Sequence, residues 1–334
     1  MNWPGEQLII KLWDTLSEKG IGGLLKPWEI RREGIAEVDV RRYELLALAA
    51  AEKEAQLIRS GAKSLRESKY LLSLTSPQYP EQEEVGGVQL PELASRSVIA
   101  DAMRKEANVA KAVLQAEAEL KADPTPPPKQ QIEDDWLHRW RESAGQVSAE
   151  ELQALWGKIL AGELKSPGSY SYRLLDFIRN LTRDEAALIE KIAGFVINGS
   201  IAREPETLLE SEGITFDMLL SLQELGVVAG VESLGMANRF DSVSPEKFVR
   251  LLLCNGKGLF VEHDDKFKTL ELGAYIVTSL GKQVMGLGKF SPSESYLRAV
   301  GKSIKQKGYK VSLVDCIPAD AGRVRILNQQ EIEN

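Results

Sequence analysis

The side chains able to make or break bonds are few in this chain. Imidazole occurs twice, at His138 and His263, and thiol twice, at Cys254 and Cys316. His263 sits in "VEHDD", where Glu262, Asp264 and Asp265 put three carboxylates beside one imidazole, donor types that suit a metal. Adjacent acids at the end of a strand also read as a solvated turn, and that reading is preferred. His138, in "DDWLHRWRE" between Trp136 and Trp140, reads as a surface residue of a charged helix. A nucleophile relay would need a serine or cysteine held beside one of these imidazoles, and no phrase supplies it. The cysteines lie far apart with no CxxC context, so they are expected to be reduced thiols without a disulfide or zinc site. "CNGKGLF" has too short a spacing for a phosphate loop, because Gly256, Lys257 and Gly258 do not provide the run of amides that surrounds a phosphate. It fits a hairpin turn. No metal, cofactor or small-molecule substrate is therefore predicted, and the chain reads as a non-enzyme.

Two stretches read instead as contact surfaces. From Tyr296 to Ile326 seven lysines and arginines face two acids, inside a chain of formal charge −7. Arg298, Lys302 and Lys305 share a helix face at i, i+4 and i+7, and Lys307, Lys310, Arg323 and Arg325 extend the charge. This set is either a solvated face or a site for phosphate backbone or an acidic partner. Near the N-terminus Leu8, Ile9, Leu12, Trp13 and Leu16 form one apolar helix face. It is expected to dock on its own protein or a partner helix, or to lie in a membrane interface, where tryptophan is at home. Residues 1–35 carry five basic and five acidic side chains, which offers anionic lipid little net attraction.

The elements that position these residues are mostly helices. After the first helix, closed by Gly20, Gly22 and Gly23, two long Ala/Glu-rich helices are predicted, from about Asp39 to Ser60 and from about Leu93 to Ala122. A turn-rich loop over 73–91 separates them, and "PTPPPKQ" follows as a stiff spacer. Capping boxes are read at Ser148 with Glu151, Thr182 with Glu185, and Ser291 with Glu294. Between the first two, Leu152, Leu155, Trp156, Ile159 and Leu160 make a core-facing stripe, and Leu174, Phe177, Ile178 and Leu181 make another. Thr215 caps a further helix, "LELGAYIVTSLGKQVMGL" reads as a strand entering a helix, and Gly308 stops a helix that precedes the strands "YKVSLVDCI" and "GRVRIL". The last residues, "NQQEIEN", read as a frayed tail.

The expected fold class is mainly α, of the α+β kind. Residues 1–123 form a helical region, 124–131 a Pro-rich linker, 132–288 a helical core with a winged-helix-like module, and 289–334 a basic helix with two strands. With 43% hydrophobic residues the chain can bury a real core. It has no signal-peptide pattern and no run of about 20 apolar residues that would span a bilayer. A cytoplasmic location follows as the expectation, with peripheral contact at the inner membrane surface left open.

The phrase "NWPGEQLIIKLWDTLSEKGIGGLLKPWEIRREG", followed by "SAEELQALWGKILAGELKSPGSYSYRLLDFIRNLTRDEA", resembles an uncharacterised bacterial family, domain of unknown function 2806. The second phrase is also similar to the Abi-alpha group of abortive-infection proteins, through Leu155, Trp156, Leu160, Ala161, Leu174, Leu181 and Ala186. Neither likeness supplies catalytic residues. Together they imply an interaction or regulatory protein of phage defence, acting through self-association, a protein partner or membrane contact. "YIVTSLGKQV" is similar to a phrase found at the second wing strand of winged-helix modules, so a DNA- or RNA-binding regulator using the basic C-terminal face is the alternative.

Overall fold

The computed structural model describes residues 4–19, 53, 56–60, 90–203, 206–233, 236–319 and 323–333. The glycines expected to end the first helix, the loop up to residue 89 and most of the expected 39–60 helix lie outside these residues; positions 56–59 are helical. The chain divides into two compact units, Met1–Leu175 and Asp176–Asn334.

In the first unit the described elements are helices: α1 (Glu6–Glu18), α2 (Leu90–Leu120), α3 (Asp134–Gly145), α4 (Glu150–Lys165) and the opening of α5 (Tyr172–Asn180). Alanine carries the packing of α2. Ala107, Ala110, Ala112 and Ala116 are all buried, and such short side chains let a neighbouring helix approach closely. The neighbour is α4, and the closest approach is at Gly157, where a Cβ would lie 2.7 Å from the Ala112 carbonyl oxygen and 2.8 Å from the Ala116 nitrogen. Trp156 and Trp140 flank the contact and are buried, with Trp140 Nε1 donating to the Trp156 carbonyl at 2.9 Å. Two buried amides close the α3–α4 connection. Asn108 donates to the Gly145 carbonyl, and Gln153 donates to the Val147 carbonyl and toward Asn108 Oδ1. Left unpaired, each would cost about 1–3 kcal/mol.

The capping box expected at Ser148 is not made. The helix begins one residue later, with Ala149 at the cap position and no side-chain cap bond, and the inward Gln153 holds the Val147 carbonyl. Leu152, expected in the core stripe, is 46% exposed, since it falls in the first turn, away from α2; Trp156, Ile159 and Leu160 are buried as expected. The Pro-rich segment 124–131 lies within the first unit, where Lys11 Nζ of α1 donates to the carbonyls of Pro128 (2.5 Å) and Gln130 (2.6 Å).

The second unit holds the rest of α5, then α6 (Arg183–Ala193), β1 (Ser200–Ala202), α7 (Glu206–Ser211), α8 (Phe216–Glu224), β2 (Val228–Ala229) and β3 (Ala237–Phe240). These are followed by β4 (Phe248–Cys254), β5 (Lys257–His263), β6 (Leu270–Val277), α9 (Ser279–Gly286), α10 (Glu294–Gln306), β7 (Lys310–Pro318) and β8 (Val324–Glu331). The helix-rich α+β class is as expected. One antiparallel sheet is built around β6, with β1 on one side and β2 and β3 on the other; the second runs β4-β5-β7-β8, also antiparallel. α10 packs on β5 and β7.

Local signals hold at several places. The Thr182–Glu185 capping box is fully formed, and Thr215 Oγ1 accepts from the Met218 amide. Asn255 and Gly256, at φ 45° and 85°, make the two-residue turn of the β4–β5 hairpin, the backbone that "NG" favours. Gly308, at φ 86°, ends α10. The box expected at Ser291 is not made: the cap is Ser293, whose Oγ accepts from the Tyr296 amide while its own amide is fixed on the Gly194 carbonyl. The C-terminal residues are not a frayed tail. Residues 328–331 belong to β8, and the Ile332 side chain is buried beside Gly301, where α10 has no Cβ to exclude it.

Truncating Trp156 to alanine should cost about 3–5 kcal/mol, read by urea denaturation, because the cavity would open beside the α2–α4 contact. The Asp123 carboxyl is held down at about 2 by hydrogen bonds from the Thr125 side chain and amide and from Lys165, acting against partial burial. Its folded value is thus below its unfolded value, so its contribution is present above pH 4 and lost as pH falls through 2. Asp123→Asn should lower the melting temperature at pH 7, and the difference from wild type should shrink as pH falls from 4 toward 2.

Candidate functional site

The residues marked for chemistry are occupied structurally. His263 closes β5: its Nδ1 accepts from the Asp265 amide at 3.0 Å, and its ring meets Tyr309 edge-on at 5.5 Å between centroids. Among the described residues no group of three histidine, cysteine or acidic side chains could hold a metal ion. His138 is exposed on α3. Burial pushes the Cys254 thiol up to about 12, which removes its nucleophilic form at neutral pH. Lys257 pairs with Glu294 and Asp315, each at 3.2 Å, beside the turn of the hairpin.

One buried carboxylate escaped the sequence reading. Glu163, 2% exposed, accepts from the amides of Gly168 and Tyr170 and from the Ser169 hydroxyl. Burial raises its pKa, and those hydrogen bonds pull it partly back. With three donors from one turn on it, Glu163 fixes the α4–α5 loop. Gly162 and Gly168 allow this: the Tyr170 ring lies where a Gly162 Cβ would be, and Gly168 has φ 87°. A glutamate five residues before a glycine of left-handed conformation was the available signal, but such a spacing is common.

The apolar face of α1 is not free. Leu8, Ile9, Leu12, Trp13 and Leu16 are all buried within the first unit, where α1 packs against α2 and α4, and Trp13 Nε1 donates to Glu117 at 3.2 Å. The basic C-terminal residues separate into two groups. Arg298, Lys305 and Lys307 are turned onto the protein: Arg298 onto Glu294 and Gln330, Lys305 Nζ onto the Ile332 carbonyl, and Lys307 Nζ onto the Glu271 carbonyl. Lys302, Lys310, Arg323 and Arg325 are exposed. They do not converge, for Lys310 opens β7 while Arg325 pairs with Ile317 near its other end. At about 3.4 Å per residue that is more than 20 Å.

A different surface emerges at α8. Met218, Leu219 and Leu222 are buried, which turns Asp217, Leu220, Ser221 and Glu224 outward, with Phe216 52% exposed at the helix start. From Glu204 to Asn238 the sequence has seven acids and no lysine or arginine. The signal was legible as a charge run.

A family model described as a protein of unknown function (DUF2806) matches residues 94–212. The match spans α2 through α7 and supports a domain of unknown function there; the N-terminal phrase at 2–34 lies outside it. No curated protein and no solved structure matches the chain.

Because Phe216 stands on the surface, Phe216→Ala should change unfolding free energy by less than about 0.5 kcal/mol, whereas Leu222→Ala, in the buried face of the same helix, should cost about 2–5 kcal/mol. Chemical denaturation of the two variants checks the assignment of faces.

Proposed function

We propose that the protein is a non-enzymatic regulatory module that binds another protein through the outward face of α8. The order β1, α7, α8, β2, β3, then the β4–β5 hairpin, β6 and α9, with β6 between β1 and β2, is that of a winged-helix-like module carrying an inserted hairpin and supports that reading of the second unit. In such a module the second helix of the pair is the one presented to a partner. Here it offers Asp217, Glu224, half-buried Leu220 and exposed Phe216. Carboxylates on that face repel a phosphate backbone, and an exposed aromatic suits an apolar pocket on a protein. The observation that carries the proposal is the absence of any lysine or arginine between Glu204 and Asn238.

Phage defence is the process in which we place this role. Its support is the likeness of the α4–α6 region to the Abi-alpha group, whose shared positions include the buried Trp156, Leu160, Ala161 and Leu174. That likeness speaks for a common helical element more than for a common partner. Among the described residues no helix is long and apolar enough to cross a membrane.

Titrating labelled duplex DNA and single-stranded RNA at about 50 mM salt, where phosphate contacts are strongest, should give no binding by the native chain. Asp217→Lys with Glu224→Lys should create weak, salt-sensitive binding. Tight binding by the native chain that weakens steeply with salt would reverse the proposal in favour of a nucleic-acid regulator.

A further inference from the structure

The last described residues are seated in a groove that has the form of a peptide site. β8 adds as an antiparallel strand to β7, with Glu331 opposite Ser312 and Gln330 opposite Leu313, and the Ile332 amide continues the ladder onto the Val311 carbonyl at 3.0 Å. The Ile332 side chain, 2% exposed, enters a slot whose wall is the bare backbone of Gly301 on α10, beside Leu259 and Val311. Two cations of α10 reach over the strand: Arg298 Nη2 donates to Gln330 Oε1 at 2.9 Å and Lys305 Nζ to the Ile332 carbonyl at 2.8 Å. A strand edge, one apolar slot beside a helix, and cations on the ligand's carbonyl and amide side chain are the parts that strand-addition recognition uses.

The segment that fills the groove is held by a backbone ladder and side-chain hydrogen bonds rather than by an apolar core. Residues 327–331 are exposed, the register with β7 shifts between Leu313 and Asp315, and Asn328 adopts φ 51°. One buried side chain anchors it. Segments with little buried apolar contact belong to the low-stability end of a fold, where local opening precedes global unfolding.

We propose that the groove between α10 and β7 is a peptide-binding site, that residues 323–333 are its displaceable occupant within the chain, and that in trans it takes the same segment of a second copy. The slot selects a branched aliphatic side chain, and Arg298 and Lys305 select an extended backbone with a glutamine two residues before it. The positive charge of Arg298 and Lys305 here holds a strand. Exchange of identical segments between two copies gives a closed two-fold dimer in which each groove is filled by its partner. This inference is independent of the α8 surface.

The test uses the full chain and a fluorescein-labelled peptide of residues 323–333. Wild type should bind it weakly, because its own segment competes. Ile332→Ala, which empties the slot in cis, and Gln330→Ala, which loosens the segment without touching the core, should each bind at least about tenfold more tightly, the competing occupant having been weakened. Gly301→Leu, which fills the slot, should bind none. In sedimentation velocity wild type should shift from monomer to dimer with concentration, and Ile332→Ala should remain monomeric. Absence of peptide binding by both folded variants overturns the proposal. So does peptide binding by a chain that stays monomeric at every concentration, since the trans occupant would then be a different protein.

Discussion

The contact between α2 and α4 at Gly157 is the constraint on which the first unit rests. A helix surface with side chains keeps two axes apart; removing one Cβ and facing it with Ala112 and Ala116 brings backbone to backbone. That closeness makes the large residues on either side fit only one way. Trp156 fills the space beside the contact, and Trp140 of α3 is then oriented by its bond to the Trp156 carbonyl. The polar groups caught inside the same region, Asn108 and Gln153 at one end of α4 and Glu163 at the other, are all hydrogen-bonded, so they fix register.

The second unit repeats the device with a different outcome. Gly281 lets α9 come onto the Val227 carbonyl and ties β6 to the end of the α7–α8 pair, together with the Thr278 hydroxyl on the Gly226 carbonyl. Gly301 leaves a slot in α10 that a residue from 31 positions later fills. In the first case an absent Cβ welds two elements; in the second it makes a receptor for a strand. The difference lies in what arrives: a strand end and helix whose other contacts are many, or one isoleucine at the end of an exposed strand.

Charge follows the same division of labour. Cations that look like a single basic face along the sequence are partly consumed on carbonyls and carboxylates of the second unit, and those that remain exposed are spread over α10, β7 and β8. On α8 the carboxylates of Asp217 and Glu224 are exposed, so their charge stays on the surface. A net count over a segment does not distinguish these cases, because it ignores which side chains find a partner at hydrogen-bond distance.

What the sequence by itself determined was local. The buried face of α1, the Thr182 and Thr215 caps, the Asn-Gly hairpin and the Gly308 stop all depend on residues within a few positions of one another, and each is where periodicity or turn chemistry puts it. Tertiary structure decided the rest. Whether Ser148 or Ser291 caps a helix was not decided by the box pattern, and whether Leu152 was core depended on which face of α4 met α2. The use of Arg298 and Lys305 depended on the return of a strand. These are contacts between positions far apart in the chain, and their geometry is set by close packing, in which the absence of one Cβ matters as much as any side chain that is present.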